Sequence, residues 1–286
     1  QWGGRIRELA LDSTWSTNGS RYELYALLGE VYGSGLPLGF LLLRSSPEGE
    51  KGGKERFLTA FLTAVRDEWH IEAVFTLTDK DWSEINAFRA TYPHAKHQLC
   101  YWHCLRAIKT RLSILRRMPA YYNAEEAHKE FSWIDEDFVP SQQRTDTDGE
   151  KRSVDPEYIF CPAPHRKQLL HLFTKHFCQH SFFPEPGIPP ESHTSESIRR
   201  GAVFEMYTFC HERGLAEVWG YMWTSWYSPR RWPLWARSTS EDRISRLRTT
   251  MTVEKFWQQL KGDYLKHLKR PRLDQLLYIL IYRVTP

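Results

Sequence analysis

Three acidic residues stand where carboxylates can do metal chemistry. Asp12 closes the apolar run Leu9-Ala10-Leu11, and Asp79 closes the apolar run Ala73–Thr78. If the two runs form neighbouring strands, both carboxylates emerge at one edge of a sheet. Glu254 lies on Val253–Tyr264, where Val253, Trp257, Leu260 and Tyr264 make one helical stripe. A helix turns about 100° per residue, which puts Glu254 on the flank of that stripe, able to reach the same edge. Three converging carboxylates repel one another unless something cationic sits among them. Mg²⁺ or Mn²⁺ suits such an all-oxygen set. Two such ions can activate a water or a 3′-hydroxyl and stabilise the leaving oxygen in phosphodiester chemistry. Taken singly, each acid has a plainer use: a strand-end Asp as turn former or helix cap, a helix-flank Glu as a solvated charge. Asp81, two residues past Asp79, is an alternative ligand, although the strand-end position favours Asp79.

Cysteine and histidine offer a second set of donors. Cys100 and His103 form a C-x-x-H pair, two ligands where a structural zinc site normally takes four. Cys161, His165, Cys178 and His180 could assemble a tetrahedral zinc site if the two segments meet. His176 and His180, four residues apart, also read as an ordinary polar helix face.

The last third of the chain is aromatic and basic. Trp219, Trp223 and Trp226 share a helical face, and Trp232 and Trp235 follow closely. Core packing is the first reading of these rings; stacking of one of them, such as Trp226, on an unpaired base is the sharper one. Arg230, Arg231, Arg237, Arg243, Arg246 and Arg248 are better suited to phosphate, through the bidentate guanidinium fork. Lys255, Lys261, Lys266, Lys269 and Arg270 extend the track.

Positioning these groups requires a sheet and its covering helices. Arg5–Trp15, Tyr22–Tyr32 and Leu36–Leu43 read as a three-strand meander with a turn at Gly33-Ser34-Gly35, followed by a Gly/Glu/Lys loop over Ser45–Lys54. Phe57, Leu58, Phe61, Leu62, Val65 and Trp69 recur at helical spacing. A short strand to Thr78, a helix capped by Asp81 or Ser83, a fifth strand over Ala95–Cys100 and a helix through Leu105–Leu115 complete the pattern. The order predicts a mixed sheet, a meander joined to crossover units. Residues 135–157 read as a polar loop, and 158–250 as helical and very aromatic.

Composition sets the outer limits. The chain has 286 residues, 41% hydrophobic and 26% charged, which fits a globular core and argues against overall disorder. The net charge of +4 conceals an asymmetry: residues 1–198 carry 23 basic and 27 acidic side chains, and 199–286 carry 16 and 8. A basic end on a near-neutral body points to a polyanion partner. No apolar run approaches the roughly 20 residues of a membrane span, no signal peptide is visible, and five irregularly spaced Cys suit a reduced intracellular compartment. A start at Gln1 and a stop soon after Leu276–Tyr282 suggest a piece of a longer protein.

Several segments recur together in a telling order. Leu11-Asp12-Ser13-Thr14 precedes the meander; Leu77-Thr78-Asp79-Lys80-Asp81 runs into Glu84-Ile85-Asn86-Ala87; Cys100-Tyr101-Trp102-His103 follows. A Trp-rich stretch from Glu217 to Arg237 leads to Thr249-Thr250-Met251-Thr252-Val253-Glu254, with Trp257, Lys261-Gly262-Asp263-Tyr264 and Pro271-Arg272-Leu273-Asp274 beyond. In this order they resemble the Mutator-like (MULE) DDE transposases, most closely the fungal branch. The resemblance covers most of the chain. It implies an α/β RNase H-like fold, a mixed five-stranded sheet flanked by helices and interrupted by a mostly helical insertion before the last catalytic helix. Residues 1–115 would be the first part of the core, 116–248 the insertion, and 249–286 the final catalytic helix with a C-terminal helix. It implies metal-dependent DNA cleavage and strand transfer at transposon ends, with Asp12, Asp79 and Glu254 holding two Mg²⁺ or Mn²⁺ ions and Cys100 and His103 close by. Double-stranded DNA, a homodimer or higher oligomer, and a nuclear location follow from the same resemblance. A DNA-end-binding domain and a SWIM module common in the family would lie outside this sequence. Lys255 departs from the small residue expected after the third acid. A domesticated, non-cleaving DNA-binding regulator, a structure-specific nuclease and a decayed copy are the competing readings.

Overall fold

The computed structural model describes residues 3–44, 52–144, 158–184, 186, 187, 189, 192–240, 242–247 and 249–284. Part of the loop expected over Ser45–Lys54, most of the polar loop expected over 135–157, and Arg248 lie outside the described residues.

Five strands form one sheet in the order β3-β2-β1-β4-β5: β1 Glu8–Thr14, β2 Glu23–Val31, β3 Ser34–Leu43, β4 Phe75–Thr78 and β5 Lys96–Leu99. The first three are antiparallel neighbours, whereas β4 pairs parallel with β1 and β5 parallel with β4. The crossovers that parallel pairing demands are α1 (Gly53–Trp69) and α2 (Trp82–Thr91). The expected meander and crossover units are therefore present, and the mixed five-stranded α/β sheet is the one expected of an RNase H-like fold.

Alternation along β1 decides which face each side chain serves. Leu9 and Leu11 join Leu58, Leu62 and Phe88 in a core beneath α1 and α2. Ala10 and, on β4, Leu77 join Val253, Trp257 and Leu260 in a second core on the other face. On that face lie the helices α9 (Met251–Gln259) and α10 (Leu273–Ile279); α3 spans Tyr101–Ser113. Each of α9 and α10 ends in a wider π-type turn, Leu260–Tyr264 and Leu280–Val284. Asp12 shares the parity of Ala10, and Asp79 that of Leu77, so both acids fall on the α9 face. Glu8 anchors the chain where it rejoins the sheet: its carboxylate accepts from Ser245 Oγ at 2.9 Å, Arg246 N at 2.9 Å and Leu247 N at 2.8 Å.

Chain contacts divide the molecule into Gln1–His103 with Ser245–Pro286, and Cys104–Ile244. These boundaries differ from the expected 115/116 and 248/249. The first falls inside α3, because residues past His103 pack within the second unit; the Arg111 guanidinium, for example, lies 3.4 Å over the Phe160 ring. Among its described residues the second unit holds helices and no strand: the rest of α3, α4 (Ala124–Glu130), α5 (Ala163–Cys178), α6 (Ser195–His211), α7 (Ala216–Met222) and α8 (Trp232–Trp235). Its core is aromatic. Phe173 packs on Trp226 at 5.2 Å and on Trp235 at 4.4 Å between ring centres, and the Trp235 indole donates to the Trp226 carbonyl at 2.7 Å. No described helix is long and apolar enough to cross a membrane.

Candidate metal centre

The two Asp carboxylates meet because β1 and β4 are adjacent and parallel. Their last registered pair is Ala10 with Leu77, and Asp12 and Asp79 each lie two residues further on. Asp12 is 9% exposed. Burial, reinforced by the negative charge of Asp79, pushes its carboxyl up to about 7. The Trp257 indole opposes this by donating to Asp12 Oδ2 at 3.2 Å.

Helix α9 lays one face along that strand end. Glu254, Trp257 and Lys261 are spaced three and four apart, so they line one side of the helix. Trp257 holds Asp12, and Lys261 Nζ donates to Thr14 Oγ1 at 2.6 Å. Burial draws the Lys261 ammonium below its ordinary value, with the nearby Asp12 opposing.

His103 joins the other two acids. Its Nδ1 contacts Asp79 Oδ1 directly, and its Nε2 lies 3.6 Å from Glu254 Oε1. Burial would lower its basicity, but the Asp79 hydrogen bond, the Cys100 thiol and the charge of Asp79 outweigh it and push the ring up to about 10. Cys100 is fully buried and accepts from Thr250 N and Thr250 Oγ1, each at 3.3 Å. Thr250 begins α9, its carbonyl receiving Glu254 N at 2.8 Å. Asp79, Glu254, Cys100 and His103 are thus one connected group. Sequence reasoning missed Thr250, although a Thr just ahead of an amphipathic segment is a legible helix-start signal.

Asp81 does other work. It caps α2 by accepting from Ser83 N at 2.8 Å, and it pairs with Lys54 Nζ at 2.7 Å. Burial acts against its charge, but the Lys54 contact holds its carboxyl below the usual range. The strand-end acid and the cap are therefore separate roles, and Asp81 is not a member of the carboxylate group.

Other expected residues fall elsewhere. Trp226 is fully buried, so the base-stacking reading is corrected: its ring packs edge to face with Phe173 and Trp235 and is closed to a base. Arg237 is 9% exposed, which removes it from an exposed phosphate track. Arg230 is exposed and Arg231 half-buried. Arg246, Lys255 and Lys261 are exposed residues of the sheet-bearing unit. The four expected zinc ligands do not converge. His180 spends Nε2 on the Ser240 carbonyl at 2.7 Å and Nδ1 on Phe182 N at 3.1 Å, Cys161 is buried, and Cys178 is exposed. His176 and His180 are not a polar face; both are buried, His176 between Tyr227 and Glu205 at 2.7 and 2.8 Å. Among the described residues, the one group of three or more such donors within reach of one ion is Asp79, Cys100 and His103, whose ligand atoms lie within 4.8 Å of one another.

Residues 8–107, which contain Asp12, Asp79, Cys100 and His103, match the family model described as the MULE transposase domain. Over those residues the chain is similar to that domain. A curated relative is the mating-type protein ALPHA3 of Kluyveromyces lactis, 21% identical over 293 residues, covering 96% of this chain. This chain spans about 30% of the length of that relative. Among solved structures, the chain is similar to the Drosophila P element transposase strand transfer complex, with a TM-score of 0.40 and 10% identity over 95% of this chain and 74% of that one.

Proposed function

We propose that this is the catalytic domain of a DDE transposase that cuts DNA at transposon ends and joins the freed strand to target DNA. The reading is supported by Asp12 and Asp79 at the ends of adjacent parallel strands, by His103, which contacts Asp79 and lies 3.6 Å from Glu254, and by the match of residues 8–107 to the MULE transposase domain. The donor set fits the implied ions. Asp12 and Glu254 offer only carboxylate oxygens, which suit Mg²⁺ or Mn²⁺, and the burial that disfavours a charged Asp12 is relieved by a neighbouring cation. Asp12, Asp79 and Glu254 would hold the ions, which when bound supply an activated nucleophile and stabilise charge on the attacking and leaving oxygens.

The chain's own residues prepare that site. Trp257 fixes the Asp12 carboxylate through its indole N–H. Lys261 ties α9 to the end of β1. His103 holds Asp79 and Glu254 together by its two ring nitrogens. Lys255, next to Glu254 in the chain, presents an exposed cation for DNA phosphates, and this binding loses strength as salt rises. Double-stranded DNA is the partner, in a homodimer or higher oligomer, in the nucleus. Residues 104–244 are a helical insertion in the catalytic core.

The test is strand transfer. A pre-cleaved transposon end with a free 3′-hydroxyl is incubated with plasmid and Mg²⁺ or Mn²⁺. The wild-type chain joins the two, and Glu254→Gln lowers joining by about 100-fold or more, the scale for losing one charge-stabilising group. Equal joining by Glu254→Gln would end the assignment of the third acid.

A second reading has one specific support: the relative is named as a mating-type protein. In that reading the domain binds DNA within a regulator and does not cut. Binding to the element's ends without metal-dependent cleavage or joining would favour it.

A further inference from the structure

The loop after β1 carries a feature that the carboxylate site does not use. Trp15, three residues past Asp12, is 51% exposed. It lines a cleft of about 330 Å³ together with Ser16, Asn18, Gly19, Arg21 and Arg270. That volume is at the lower end of the range for small-ligand sites, about 300–1,000 Å³. The lining holds one indole and two guanidinium groups, and no acid. Both Arg21 and Arg270 are exposed.

The cleft is built, not a chance gap between mobile side chains. Buried Asn18 clamps the loop, its amide donating to the Tyr22 carbonyl at 3.0 Å while its Oδ1 accepts from Tyr22 N at 3.0 Å. Gly19 N donates to the Pro271 carbonyl at 2.9 Å, which joins the loop to the segment bearing Arg270. A Cβ on Gly19 would come 3.2 Å from the Arg270 carbonyl oxygen, so the close approach favours glycine there. Ser16, Arg21 and Arg270 all hold left-handed backbone, with φ of 64°, 59° and 54°. Non-glycine residues rarely adopt that conformation, and three of the five that do among the described residues line this one cleft. Such strain persists where surrounding structure holds it, and functional sites are where it gathers.

We propose that this cleft is a subsite for unpaired DNA, in which a base stacks on Trp15 and the flanking phosphates lie against Arg21 and Arg270. The chemistry matches part for part. An exposed indole stacks on any base, and paired guanidinium groups suit phosphate oxygens. The place suits it too. At strand rise, three residues put Trp15 about 10 Å along the chain from Asp12, within a few nucleotides of a cut made there. The Trp-rich segment supplies no such ring in Trp226, which is buried; Trp15 offers the exposed surface. The inference rests on the transposase reading of the acids.

The test is fluorescence anisotropy of the whole chain with labelled oligonucleotides, without divalent metal, so that cleavage does not enter the readout. The probes are a single strand, a duplex with a short 3′ overhang, and a blunt duplex. Trp15→Ala is expected to weaken binding of the first two by about 5- to 100-fold and of the blunt duplex by less than about 2-fold, while Trp15→Phe retains most of the affinity. Arg21→Gln and Arg270→Gln should each lower the slope of log affinity against log salt by about 0.7 on the single strand. Unchanged single-strand binding by Trp15→Ala overturns the subsite. So does an equal loss on all three probes, which marks a general duplex surface. Either failure leaves the metal-dependent chemistry of Asp12 untouched.

Discussion

Cys100 Sγ accepts two hydrogen bonds from Thr250, one from the backbone N–H and one from the hydroxyl, each at 3.3 Å. The pair joins residues 150 positions apart. One closes the strand edge beside Asp79, and the other starts the helix that carries Glu254. The thiol of the C-x-x-H motif therefore fixes where α9 begins, and the imidazole three residues on spans Asp79 and Glu254. Cys100→Ala leaves a buried Thr250 N–H without its acceptor and should cost about 1–3 kcal/mol. Thr250→Val keeps the backbone bond and should cost about 1 kcal/mol. Urea unfolding measures both. Cleavage should fall further in Cys100→Ala than in Thr250→Val, because only the first releases the helix start altogether.

The metal-free domain should lose stability as pH rises. Asp12 titrates near 4 in an unfolded chain, as carboxylates do, and at about 7 in the fold. The folded state thus holds a proton that the unfolded state has released. That contribution is complete below about pH 4 and gone as pH passes about 7. His103 acts in the same direction, from about 6.5 unfolded to about 10 in the fold, so its contribution is lost as pH rises through that window. Thermal melts in EDTA should show Tm falling across both ranges, with Asp12→Asn removing the lower part. Saturating Mg²⁺ needs an ionised Asp12, so its stabilising shift in Tm should be larger at pH 8 than at pH 5.5. A shift that shrinks with rising pH contradicts the site.

Asp81 and Asp79 should separate cleanly by substitution. Asp81→Ala removes a helix cap, a loss of about 1 kcal/mol, together with the Lys54 pair, and should leave most of the cleavage activity. Asp79→Asn should remove cleavage, and its cost in stability should come from the lost charged contact with His103. Parallel melts and nicking assays check the pair, and the reverse pattern would exchange their roles.

Trp226→Ala should act on folding. The ring is fully buried against Phe173 and Trp235, and truncating such a residue costs about 3–5 kcal/mol. Loss of DNA binding in this variant should track loss of folded protein by circular dichroism, with no selective defect in the folded fraction.

Much of the sheet was legible because its signals are local. Apolar runs ending on Asp12 and Asp79, a Gly33 turn and the heptad-like spacing in α1 each depend on neighbours in sequence. The parity that places both acids on one face follows once β1 and β4 are known to pair. The partners of Glu8 and Thr250 were out of reach, since each lies far away in sequence. Glu8 is spent on Ser245–Leu247, Thr250 on Cys100, and nothing in their own surroundings says so. The choice between core and surface for Trp226, His176 and His180 was not legible for a related reason. Aromatic and imidazole side chains serve equally as core or as surface, and only the packing around them decides.

Asp12, Asp79 and Glu254 are proposed to drive metal-dependent DNA cleavage together. The most direct measurement compares the wild-type chain with Asp12→Asn on DNA carrying the element's own ends, in Mg²⁺ or Mn²⁺, with binding followed on the same DNA. Expected are cleavage by the wild type that EDTA abolishes, a loss of about 100-fold or more in the variant, and binding largely retained. Equal cleavage by Asp12→Asn, or wild-type cleavage that persists in EDTA, would contradict it.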